Sequence, residues 1–191
     1  MQTEYINSVK KQFAYYKKLG ELTFGQVQEK DLFWKYNGES NSIAIIVNHL
    51  WGNMLSRWTN FLTEDGEKEW RERDLEFEDV IASKEEMLQK WDAGWRCLFN
   101  ALDSLDETNF HQQIYIRNQG HSVMEAINRQ LAHYSYHIGQ IVFLGTLLKG
   151  AEWKSLSIPK GASKSYNDKK FSKEKHAAHF TDEYLKPGKD N

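Results

Sequence analysis

The chain has 191 residues, of which 40% are hydrophobic and 27% charged, and its formal net charge is −2. That length can bury one sizeable core, while the charge balance excludes a strongly basic nucleic-acid binder and any general attraction to anionic membranes. No run of about 18 apolar residues is present to span a bilayer. The single cysteine, Cys97, and an N-terminal stretch without the apolar centre of a signal peptide predict a cytoplasmic protein.

Only two prolines occur, Pro159 and Pro187, so long helices meet no strong breaker before residue 159. Four amphipathic helices are predicted in chain order. The first runs from Thr3 to Val27, with Ile6, Val9, Phe13 and Tyr16 spaced along one face. The second starts after Ser40 and Asn41, both good N-cap types, and carries Ile43 to about Leu62. A long charged connection follows, Thr63 to Ala82. Connections of this length are functional, mobile or packed through their own aromatics, here Trp70 and Phe77. A sharper reading makes it a lid or dimer contact over a site.

The third helix opens with the capping-box pattern Ser83-Lys84-Glu85-Glu86 and carries Met87, Leu88, Trp91, Trp95, Leu98, Phe99 and Leu102. Cys97 falls on that stripe and is expected to be a buried core thiol. Residues Gln113 to Arg117 alternate and precede Asn118-Gln119-Gly120, which reads as an extended segment and turn. The fourth helix opens with a second capping box, Ser122 to Glu125, and ends at Gly150, a plausible C′ glycine. After Trp153 the apolar periodicity dissolves into a Lys-, Ser- and Asp-rich stretch, with one short helix expected near Lys173 to Tyr184. The expected architecture is all-α: a four-helix bundle over residues 1–155 with a long loop after its second helix, then a polar tail, 156–191, lying on the bundle or partly disordered.

Chemistry is concentrated in the histidines. His133 and His137 are four residues apart, which puts both imidazoles on one helical face, close enough to grip one metal ion. His49, in the second helix, can join them if the second and fourth helices are neighbours. Three neutral imidazoles suit Zn, Ni, Fe or Cu. The pair alone is also compatible with one solvated and one hydrogen-bonded helix histidine, and it lacks the adjacent Glu of the H-E-x-x-H zinc proteases.

Gln140, seven residues past His133, could orient a bound water or thiol, or serve as a polar residue at a helix crossing. Arg129 could meet an anionic substrate, although pairing with a loop carboxylate is favoured. Asn53 is a candidate to support His49, against the plainer reading of an interhelical hydrogen bond. His121 reads as a residue at the start of the fourth helix, and His176 and His179 as a solvated helical pair. A fourth protein ligand is hard to find outside the long loop, where Asp65, Glu67, Glu69, Glu72 and Asp74 are the supply.

Two stretches, SRWTNFLTEDGEK at 56–68 and NRQLAHYSYHIGQI at 128–141, with a histidine in the second helix, resemble the DinB/YfiT-like metalloprotein superfamily. The likeness is nearest to its Bacillus-type subgroup of unknown function and covers roughly residues 1 to 160. It implies a four-helix bundle, a divalent metal (Zn, Ni or Fe) held by His49, His133 and His137, and a homodimer. Characterised relatives include transferases and isomerases that use low-molecular-weight thiols, so the resemblance implies a thiol and an electrophile as small-molecule partners, without nucleic acid or membrane. Two functions stay open at this point: a metal-dependent transferase that activates a small thiol, or a non-catalytic dimeric metal-binding protein of the stress type.

Overall fold

The protein is described here over residues 2–186 of a computed structural model. It is mostly helical: among the described residues there are five α-helices and one small two-stranded sheet. The helices are α1 (Gln2–Gln26), α2 (Ile43–Trp58), α3 (Lys84–Asp103), α4 (Val123–Lys149) and the short α5 (Ser163–Phe171). No described helix is long and apolar enough to cross a membrane.

Starts and stops follow local chemistry. Ser42, one residue beyond the predicted caps, accepts from the Ile45 amide and opens α2. The helix ends at Trp58, four residues before the apolar pattern does. Asn60 there takes a left-handed φ of 48°, and its carbonyl accepts from the Thr63 and Glu64 amides. The pattern misled because Phe61, past the helix end, is buried all the same. Ser83 caps α3 as expected, but Glu86 reaches back to the Ala82 amide rather than closing the box on Ser83. The box at Ser122 and Glu125 is complete, and Gly150, at φ 54°, closes α4.

The extended segment before α4 is a β-hairpin, β1 (Gln113–Ile116) against β2 (Gln119–Ser122), antiparallel with Ile116 opposite Gln119. Its two-residue turn, Arg117 and Asn118, has φ of 56° and 58°, the geometry that suits the twist of a tight hairpin. Both turn amides donate to the Asp65 carboxylate at 2.8 Å, and the Gly66 amide donates to the Tyr115 carbonyl. The start of the long connection is thereby tied to the hairpin.

The core lies between two helix pairs, α2 against α3 and α1 against α4. Phe13, Trp91, Trp95 and Tyr134 are fully buried at its centre, in a chain of tilted and edge-on rings. Cys97 is half-buried on the shoulder of α3, with its sulfur near the Met54 carbonyl and the Thr59 hydroxyl, so the expectation of a core thiol is corrected. Burial raises its pKa, which removes it as a ready nucleophile.

The C-terminal stretch differs from its prediction. Its helix is α5 at 163–171, and residues near 180 form only a 3-10 turn, Phe180–Glu183. That turn sits on α1: Tyr15 packs on Phe180 and Tyr184, Lys11 pairs with Asp182 at 2.7 Å, and Thr181 is buried. His179 is not solvated. It accepts from the Thr181 amide and lies 3.0 Å from the Ser8 hydroxyl, while His176 is exposed.

Close helix approach generates one stability test. A Cβ on Gly20 would stand 2.5 Å from the ring of Trp91, which is itself buried and unable to move aside. Gly20→Ala is expected to destabilise the fold by about 1–3 kcal/mol despite the better helix propensity of alanine. Urea unfolding measures it, and an unchanged midpoint would show that the α1–α3 seam is looser than described.

Candidate metal centre

Helices α2 and α4 run past each other so that His49 faces His133 and His137. The Nε2 atoms of His49 and His133 are 3.2 Å apart and those of His133 and His137 are 3.1 Å apart; the three donor atoms all lie within 4.8 Å of one another. Two imidazole nitrogens bound to one ion at about 2.0–2.1 Å, at angles between square and tetrahedral, stand about 2.9–3.4 Å apart. The observed spacing fits a shared ion, and the cluster could hold one.

Hydrogen bonding on the far side of the rings supports this. His49 Nδ1 donates to Glu76 Oε2 at 2.8 Å, and His137 Nδ1 donates to Gln140 Oε1 at 2.8 Å. Each ring with its Nδ1 proton engaged presents a bare Nε2 lone pair to the centre. Lone pairs from at least two directions therefore converge there, which suits a cation. Protonation is resisted: burial, reinforced by the neighbouring imidazoles, lowers the pKa of His133 to about 3 and that of His137 to about 4, with Gln140 partly opposing the shift at His137.

Glu76 is the residue that sequence reasoning passed over. The named loop carboxylates were Asp65, Glu67, Glu69, Glu72 and Asp74, and none of them is among the groups that could hold a metal with these histidines. Asp65 caps the hairpin, Glu67 accepts from Arg57, Arg71 and Arg117, and Glu69, Glu72 and Asp74 are exposed. Glu76 instead lies buried in the 3-10 turn Asp74–Phe77. Arg71 grips it with Nε at 2.7 Å and Nη2 at 2.9 Å. Burial alone would raise its carboxyl, but the bonds from Arg71 and His49 outweigh that and hold it below the usual range.

The side chain of Asn48 donates to the Glu76 carbonyl and clamps the turn to α2. A Cβ on Gly52 would collide with the Glu76 carboxylate at 2.5 Å, so glycine one turn after Asn48 makes the room. The usable signal was Leu75-Glu76-Phe77, one acid between two apolar residues in an otherwise charged stretch. Phe77 stacks on His49 at 4.6 Å, whereas Trp70, expected to pin the loop, is 56% exposed.

The remaining candidates separate. Gln140 touches His137 directly. Asn53 accepts from the Tyr134 hydroxyl at 3.1 Å, an interhelical bond on the α2–α4 seam that does not reach a histidine. Arg129 is exposed and lies 3.4 Å from His121 of β2, the strand that leads into α4; the favoured pairing with a loop carboxylate is not found among the described residues, where the loop acids that face inward are taken by Arg57, Lys68, Arg71 and Arg117.

A family model described as "Protein of unknown function (DUF1572)" matches residues 1–162. No curated protein and no solved structure matches the chain.

Two outcomes are expected. Glu76→Gln should weaken divalent-metal binding by about 10- to 100-fold in competition with a chromophoric chelator, since the His49 Nδ1 proton loses its anionic acceptor; unchanged affinity would remove Glu76 from the site. The second concerns the metal-free protein. The unfolded chain protonates its imidazoles near pH 6.5, but the folded chain protonates His133 and His137 only near 3 and 4. Between these limits the unfolded state binds more protons, so stability falls as pH drops from about 6.5 toward 4. Melting temperatures across that window should show the slope, and His133→Gln with His137→Gln should flatten it.

Proposed function

The chain belongs to the DUF1572 family, and from that premise we propose that it is a DinB/YfiT-like four-helix metalloprotein that works as a metal-dependent transferase of a low-molecular-weight thiol. The observation that carries the reading is the donor set: three histidines converge, and no fourth protein ligand joins them among the described residues. Structural zinc sites are closed by four side chains, whereas sites that do chemistry keep a position for water or substrate.

His49, His133 and His137 would hold the ion, with Zn, Ni or Fe the metals that suit three imidazoles. A divalent cation with an open position lowers the pKa of a thiol that reaches it and so supplies a thiolate nucleophile at neutral pH. The protein's own groups do the rest. Glu76 and Gln140 keep the Nδ1 protons of His49 and His137 engaged, which fixes the orientation of both rings. Phe77 stacks on His49, and the exposed ring of Tyr136 stands 5.0 Å from His137, so aromatic surface beside the cluster would favour an apolar electrophile. In the overall transfer a sulfur–carbon bond forms at the electrophile, the thiol gives up its proton and the electrophile's leaving group departs.

The test uses protein loaded with cobalt. Adding a small thiol such as cysteine or glutathione should shift the visible spectrum through sulfur-to-metal charge transfer, and His137→Ala should abolish the change. A chromogenic electrophile should then be consumed only when thiol and metal are both present. A spectrum indifferent to thiols would favour a non-catalytic metal-binding role.

A further inference from the structure

The residues after Trp153 fold back over α1 and leave a cavity of about 260 Å³ between the two. Leu19 and Leu22 of α1 and Ile158 of the connection to α5 form its apolar wall, and Tyr15, Tyr166 and Tyr184 line it as well. Tyr15 and Tyr184 lie 5.2 Å apart, and burial raises the pKa of both phenols. The pocket opens to solvent and sets apolar side chains and rings beside a few polar groups, the make-up of a small-molecule site.

Charge specifies which ligand. The acidic group at the cavity, Glu183, is already engaged by the Tyr166 hydroxyl and by Lys170 at 2.7 Å. Lys18 and Lys169 also line the cavity, and among the described residues no carboxylate lies within ion-pair distance of either. Lys18 is half-buried on α1, its aliphatic stem lying along the pocket wall with the ammonium at the edge, and Lys169 of α5 is exposed beside it. The cavity thus joins an apolar, ring-lined body to a cationic rim.

We propose that this cavity binds a small amphipathic carboxylate, with an aromatic or short aliphatic body seated among Tyr15, Tyr166 and Tyr184 and its anion on Lys18 and Lys169. None of the three clustered histidines lines it, so the site is separate from the metal centre and does not depend on the function proposed for that centre. Five of its lining residues, Ser165, Tyr166, Lys169, Glu183 and Tyr184, lie beyond the span that matches the family model. The pocket is therefore completed by a segment outside that span, while Tyr15, Lys18, Leu19 and Leu22 lie within it.

Calorimetric titration of the full chain with 2-naphthoate, and with uncharged 2-naphthol as the comparison, tests the proposal. Naphthoate should bind saturably at one site and more tightly than naphthol. Lys18→Ala should weaken naphthoate about tenfold, the loss of one charge-assisted contact, and leave naphthol unchanged. Ala162→Trp, which fills the cavity, should abolish both, and Lys18→Ala decides alone if that variant does not fold. His137→Ala should leave naphthoate binding intact. Absence of saturable binding, or binding that survives Lys18→Ala but is lost in His137→Ala, would overturn the proposal, the latter by placing the carboxylate on the metal centre.

Discussion

A carboxylate taken out of water stays ionised only if cations and hydrogen-bond donors replace the lost solvent. Glu76 is buried and meets that condition from two sides, Arg71 across its fork and His49 through Nδ1. Much of the molecule is arranged around this requirement. The 3-10 turn brings Glu76 inward, Asn48 clamps the turn, and Gly52 vacates the volume the carboxylate occupies. The consequence for chemistry is the orientation of one ring: with its Nδ1 proton committed to Glu76, His49 turns its Nε2 lone pair toward His133 and His137.

The same logic spreads through the long connection. Arg71 also reaches Glu67, which accepts from Arg57 and Arg117 as well. Arg57 is buried, and its charge is disfavoured first by that burial and then by Arg71, with Glu67 as the compensating anion. Arg57 also donates to the Gly66 carbonyl, and Asp65 receives the two amides of the hairpin turn. These charges form one connected network from the hairpin to the end of α2 and on to Glu76. Loss of Glu67 would leave the buried Arg57 guanidinium without its anion, which costs more than the pair contributes. The connection is consequently a folded element of the site and not a solvated strap.

Tyr134 joins that site to the core. It is the neighbour of His133 in sequence, and the helical turn of about 100° per residue sends it inward while His133 faces the cluster. Its hydroxyl accepts from Trp58 Nε1 and donates to Asn53, and its ring packs on Phe13 and Trp95. Burial drives its pKa upward, so the phenol stays neutral and serves as a fixed hydrogen-bonding post. One helix thereby anchors α1, α2 and α3 through one side chain and presents two histidines through its neighbours.

What the sequence determined by itself was everything with short-range periodicity. Apolar residues at helical spacing marked α1 to α4, serine caps marked three helix starts within a residue or two, and the spacing of four placed His133 and His137 on one face, because an α-helix fixes those relations whatever surrounds it. Alternation before Asn118 likewise marked the first strand and the turn of the hairpin, but not the strand that pairs with it. Tertiary structure alone decided which distant residues met. His49 reaches the pair only because α2 and α4 cross at that height, and Glu76, one acid among many in a charged connection, becomes the anion behind His49 because Asn48 and Gly52 of another element create its berth. Burial, not residue type, separated Glu76 from Glu69 and Glu72, and burial of a charge is a property of the packed fold. The C-terminal segment shows the same division: its polar composition carried no period to read, and its position on α1 rests on Tyr15, Lys11 and Ser8, contacts between residues more than 160 positions apart.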